Sequence, residues 1–184
     1  MGEVIEISII SYKNDIMESI LCFMENIFEI HNAIQNVEVM DNWNYENAFN
    51  LSSFDEAKKY MNSKIITVTK TLRGEQIGVS IEHFSDNYRY HFWYNPRQEL
   101  SEIEYKSFLN AFSDYILEKQ KENILLCAIG LEVFVDFDMN FDEMVKKSHN
   151  VDVWMIKKTI YEKYGLKRYE ETERNRRKFK WFIY

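Results

Sequence analysis

The chain has 184 residues and a formal net charge of −7, with 46% hydrophobic and 16% aromatic residues, one proline and five glycines. That size and apolar content suit a single domain spanning residues 1–184 with a sizeable core, and exclude a disordered or linker-rich chain. No apolar run is long enough to cross a bilayer, so no membrane role is expected.

Residues 1–15, MGEVIEISIISYKND, lack a basic leader, and Glu3 and Glu6 interrupt the apolar run. A signal peptide is therefore not expected, and Glu6 stands where a myristoylation motif needs Ser or Thr. A cytoplasmic location is the expectation. Val4, Ile5, Ile7 and Ile9 alternate and predict a first strand over 3–10. Asn14 then reads as the cap of an amphipathic helix carrying Ile16, Ile20, Phe23, Met24, Ile27 and Phe28. Residues 32–51, rich in Asn and aromatics, read as irregular, and Ser53 with Glu56 as a capping box for a short helix.

Three alternating segments follow, separated by Arg73-Gly74 and Ser85-Asp86-Asn87 and closed by Asn95-Pro96, which predicts an antiparallel meander. The capping box Ser101/Glu104 opens a helix that ends near Glu122, with Ile103, Phe108, Ala111, Phe112, Tyr115 and Ile116 on one side. Residues 124–137 read as a strand bent at Gly130. Helix is expected through Met144 and Val145, and again from about Asn150 through Trp154 and Tyr161 until Gly165 stops it. Residues 166–172 and 177–184 form an expected terminal hairpin. The fold class is thus α/β (α+β): a sheet of five to seven strands with helices on its faces.

Cys22 and Cys127 lie in apolar surroundings, ILCFM and LLCAI, and read as small hydrophobes. His31, His83, His91 and His149 are scattered, and no metal-binding spacing appears. Residues 157–184 hold ten Lys and Arg against four Asp and Glu, so the body of the chain is more acidic than the total suggests. An acidic body disfavours nucleic acid and anionic membrane and attracts a basic partner surface.

The order strand, helix, helix, meander, helix, strand, helix, hairpin resembles that of the GNAT N-acetyltransferase superfamily. The segment Tyr161-Glu162-Lys163-Tyr164-Gly165-Leu166-Lys167 is similar to that family's C-terminal Tyr-Glu-Lys-x-Gly-Phe segment. The resemblance implies a GNAT-like, mainly antiparallel sheet flanked by helices and closed by a C-terminal hairpin. It also implies acetyl-CoA between the fourth and fifth strands, Tyr161 as general acid, and Gln98 and Ser101 at the cofactor. The family's glycine-rich pyrophosphate turn corresponds here to residues 95–104, which contain no glycine and carry Glu99, Glu102 and Glu104. Those carboxylates oppose a bound pyrophosphate, so the expected cofactor site is degenerate or absent.

Asp136, Asp138, Asn140 and Asp142 lack the glycine and glutamate of a calcium loop, with Phe141 and Lys147 in those places. The aromatic and basic runs at 88–94 and 179–184 could stack bases, but the acidic body speaks against it. Two functions remain open. One is a non-catalytic binding domain, such as a bacterial immunity or inhibitor protein masking a basic toxin or nuclease, with Trp43, Tyr45, Trp93, Glu99 and Glu102 as its contact residues and no cofactor. The other is a divergent N-acetyltransferase using acetyl-CoA. Long apolar strands could also pair at an edge with a second copy.

Overall fold

The alternation of residues 3–10 becomes β1 (Ile5–Ser11), and this strand runs through the middle of the sheet. The structure, a computed structural model, describes residues 3–31, 33–166 and 180–184. Ile5, Ile7 and Ile9 are fully buried on one side of β1, and Ser8 and Ile10 are buried on the other. Each fully buried isoleucine contributes roughly 2 kcal/mol, and a strand covered on both faces belongs at the centre of a sheet.

The chain continues through α1 (Ile16–Ile27), β2 (Ile34–Met40), β3 (Phe49–Leu51) and α2 (Phe54–Ala57), the last extended by a short 3₁₀ turn. The meander follows as β4 (Ile65–Leu72), β5 (Glu75–Phe84) and β6 (Asn87–Asn95). Then come α3 (Glu102–Tyr115), prolonged by a wider turn over Ile116–Gln120, β7 (Ile124–Phe134) and α4 (Phe141–Lys147). The last elements are β8 (His149–Ile156), α5 (Lys158–Lys163) and β9 (Lys180–Ile183). All nine described strands join one sheet of an α+β fold, in the order β3-β2-β4-β5-β6-β1-β7-β8-β9. Every neighbouring pair is antiparallel except β8 and β9.

Several expectations are corrected. The sheet has nine described strands, not five to seven. Residues 32–51 contain two strands, because Val37 and Val39 enter the core while Glu38 between them faces the other side. The stretch from His149 to Ile156 is a strand, not a helix. Its last six residues are all buried, and so short an apolar run carries no period that separates the two states. The cap of α1 is Asp15 rather than Asn14, and its side chain makes no capping bond. Ser53 does cap α2, accepting from the Glu56 N–H at 3.3 Å, but the Glu56 carboxylate accepts from Ser52 instead of closing a box. Ile103 projects from α3 with 78% exposure, and the buried apolar residues of that helix are Phe108, Leu109 and Phe112.

Other signals are met. The Ser101/Glu104 box is complete: Ser101 Oγ accepts from the Glu104 N–H at 3.3 Å, and the Glu104 carboxylate accepts from the Ser101 N–H at 2.8 Å. Gly165 ends α5 with φ +59°, the Leu166 N–H donating to Tyr161 O at 3.1 Å and the Gly165 N–H to Glu162 O at 3.3 Å. That is the Schellman pattern, and Leu166 is buried beneath it. At Gly130 the pairing with β8 shifts register, and an added Cβ would fall 1.9 Å from Asn150 O. The first arm of the expected hairpin beyond Leu166 and its turn lie outside the described residues; the described part of its second arm, β9, pairs with β8 in parallel.

α1 and α3 bury their apolar stripes on one sheet face, against Ile5, Ile7, Ile9, Val79, Ile81, Tyr90 and Phe92. On the opposite face a second core under α4 and α5 covers β7, β8 and the end of β1, through Met144, Val145 and Ile160 on Leu126, Ala128, Trp154 and Ile10. One cross-strand row on that opposite face records where the cover ends. Trp181, Trp154 and Ala128 pair in succession, then Ser8, His91, Ser80, Thr67 and Glu38. The row turns from apolar to polar at β1, and among the described residues no helix covers this face from β1 to β2.

Candidate docking groove on the open sheet face

Along β6 the side chains Tyr90, Phe92 and Tyr94 enter the main core, so Arg89, His91 and Trp93 must point to the open face. Along β5, Ile77, Val79 and Ile81 enter the core, so Gly78, Ser80 and Glu82 share that open face. The register sets Ser80 opposite His91, Gly78 opposite Trp93 and Glu82 opposite Arg89. β1 supplies Ser8 opposite His91 from the other side.

Ser8, Ser80, Arg89 and His91 form the floor of a groove of about 580 Å³. Trp43, Glu82 and Phe84 line it on one side, and residues 133–138 line it on the other. Three large aromatics here are exposed to an extent rare for their size: Trp43 at 52%, Phe84 at 46% and Phe134 at 55%. Trp43 sits on the 41–48 loop, where the Asn44 N–H donates to Asn42 Oδ1 at 2.9 Å, and its indole donates to Glu82 Oε2 at 3.4 Å. The loop base is held by Asp41, which pairs with Lys64 and accepts from Asn47 at 2.6 Å. The hydrogen bond from Lys64 holds the Asp41 carboxyl below the usual carboxylate range.

Arg89 ties the far wall to the floor. Its buried guanidinium meets Asp138 Oδ1 at 3.1 Å and donates to Phe137 O. It also lies 3.4 Å from the centroid of the Phe84 ring and 5.4 Å from that of Phe137. The Asp138 N–H donates to Asp136 Oδ1 at 3.0 Å, so the acidic stretch noticed in the sequence shapes a turn and pairs with an arginine. Among the described residues no group of three or more His, Cys, Asp or Glu is placed to hold a metal.

At the groove floor His91 Nε2 stands 3.3 Å from Glu6 Oε1, and His91 Nδ1 stands 3.5 Å from Ser8 Oγ. A serine, a histidine and a carboxylate in line have the order of a nucleophilic relay. Ser8, however, is 2% exposed on a strand paired on both sides. The ladders on both sides engage the backbone N–H groups around it, so no free pair lies beside Ser8 for an oxyanion.

The other expected residues are dispersed. Trp93 lies on the same face, stacked on His91 at 5.9 Å between centroids. Tyr45 is 62% exposed on the loop that carries Trp43. Glu99 and Glu102 are exposed around the start of α3, at the opposite end of β6 from Trp43, and Glu102 pairs with Lys106. Gln98 and Ser101 stand with them, Ser101 engaged in its own capping box. The first turn of α3 lies near the start of β8, where Tyr105 donates to Asp152. Tyr161 follows the far end of β8 and packs into the second core. The structure thus does not bring Tyr161 together with Gln98 and Ser101. β6 and β7, between which the resemblance implies a cofactor, have β1 between them.

Sequence reasoning missed Glu82, Phe84, Arg89, His91 and Phe134. The signal for the β6 residues was present in YRYHFWY, where Arg89, His91 and Trp93 alternate with the core aromatics. Among the described residues, no helix is long and apolar enough to cross a membrane. No family model matches the chain, and no curated protein or solved structure is significantly similar to it.

Proposed function

We propose that the protein is a non-catalytic binding domain whose open sheet face covers a basic surface on a partner protein, in the manner of an immunity or inhibitor protein. The observation that carries this reading is the ring of Trp43, Phe84 and Phe134 around a groove whose carboxylates, among the described residues, outnumber its cations. Exposed aromatics beside a polar floor are the usual anchors of an interface, and clustered acid speeds the approach of a basic partner. Trp93 and Tyr45 extend the same surface. Glu99 and Glu102, at the far end of β6, belong to the general acidic field of the body rather than to the groove.

The alternative, a GNAT-type N-acetyltransferase, draws on the order of elements and on the Tyr161 segment. Its catalytic and cofactor residues stand apart, and β1 fills the place between β6 and β7. These two facts favour the binding reading.

The test begins with capture on the immobilised protein, identification of the partner and calorimetry on the purified pair. The expected partner is basic, its affinity falls between about 50 and about 300 mM salt, and Trp43→Ala weakens it by about tenfold or more. A complex indifferent to both salt and Trp43 would overturn the reading, as would micromolar binding of acetyl-CoA.

A further inference from the structure

We infer that the groove receives one arginine side chain of the partner; this rests on the docking reading and names the chemistry that the groove selects. Among the described residues, Glu82, Asp136 and Asp138 line it against one Lys or Arg, Arg89, whose charge Asp138 already meets at 3.1 Å. Glu82 has the indole N–H of Trp43 as its hydrogen-bond donor at 3.4 Å, so a carboxylate with spare acceptor capacity stands beside an exposed aromatic ring. A cation entering the groove gains that charge and the faces of Trp43 and Phe84 together.

The chain itself shows what kind of cation these surroundings hold. Arg89 lays its guanidinium 3.4 Å from the Phe84 centroid while forking to Asp138 and the Phe137 carbonyl. Phe84 is nevertheless 46% exposed, so much of the ring remains accessible to solvent. A flat, weakly hydrated guanidinium stacks on such a ring and hydrogen-bonds a carboxylate in one pose, whereas a lysine ammonium is a compact point charge that gives up more hydration. Fixed carboxylate and flat aromatic surface therefore favour arginine over lysine.

The test is a nuclear magnetic resonance titration with acetyl-Gly-Arg-Gly-amide, its citrulline counterpart and its lysine counterpart. The arginine peptide is expected to shift the Trp43 indole N–H saturably, and both the lysine peptide and citrulline, equal in shape but neutral, to bind about fivefold or more weakly. Glu82→Gln alters a partly exposed side chain, and an unchanged spectrum elsewhere verifies its folding. Glu82→Gln is expected to weaken the arginine peptide by a similar factor of about five. Equal binding of arginine and citrulline peptides, or shifts away from Trp43, would overturn the inference. The two proposals fail separately. If Trp43→Ala weakens the whole partner but no single Arg→Lys change in that partner does, docking stands and the arginine pocket falls. If the peptide binds at Trp43 but the partner ignores Trp43→Ala, the docking reading falls.

Discussion

Trp93 lies flat across Gly78: a Cβ added to the glycine would stand 2.2 Å from Cζ2 of the indole and 2.5 Å from its Cε2. The two residues are direct cross-strand partners on the open face, where an aromatic ring covers the backbone that a glycine leaves bare. Gly78→Ala forces the body of the indole, not a flexible tip, to move. A loss of about 1–3 kcal/mol is expected in urea unfolding. In a Trp93→Ala background the same change should cost far less, since the clash is with that ring. Equal costs in the two backgrounds would show that Gly78 is needed for some other reason.

Arg89 is the hinge between floor and wall, and its role depends on the shape of guanidinium. Lysine in its place keeps the charge but loses the fork to Asp138 and Phe137 and the stack on Phe84. Arg89→Lys is therefore expected to lower stability by about 1–3 kcal/mol. It should also open residues 135–138 to limited proteolysis, with little change elsewhere in hydrogen exchange. A variant as stable and as protease-resistant as the parent would remove Arg89 from this role.

Local signals in the sequence located most elements because each rests on chemistry within a few residues. The Ser101/Glu104 box, the turns at Arg73-Gly74 and Ser85-Asp86, and the stop at Gly165 all stand where composition placed them. What the sequence did not reveal is non-local. Nothing in residues 3–10 says that β1 joins β6 to β7, yet that insertion decides which face of Arg89, His91 and Trp93 stays open. Residues 150–156 misled because a strand buried on both faces has no alternation to display. Trp43, which lines the groove, and Trp93, on the same sheet face, were legible as aromatic anchors for a partner. Phe134 and Glu82 became visible only through register.

The two cysteines should separate cleanly in chemistry. Cys22 is exposed on α1, whereas Cys127 is wholly buried on β7, and burial pushes its thiol up. The thiolate is the reactive form, so at about pH 8 a maleimide should label the native protein once, at Cys22, and twice only after unfolding. Rapid double labelling of the native protein would contradict the central position of β7.

Acid should loosen the start of α3 through Glu104. The hydrogen bonds from Ser101, side chain first and backbone second, hold the Glu104 carboxyl below its ordinary value of 4.5. A carboxyl lowered in the folded state contributes stability above its unfolded value and loses it as pH falls through the folded one. Glu102 and Asp41 are lowered too, by Lys106 and by Lys64, and add to the same slope. Glu104→Gln keeps an acceptor for the capping box but not the charge. Its urea midpoint should thus lie below the parent's at about pH 7, and the gap should close as both approach about pH 3. A gap that stays constant across that range would mean that the charge of Glu104 adds nothing to the cap, leaving the neutral hydrogen bonds to hold the first turn.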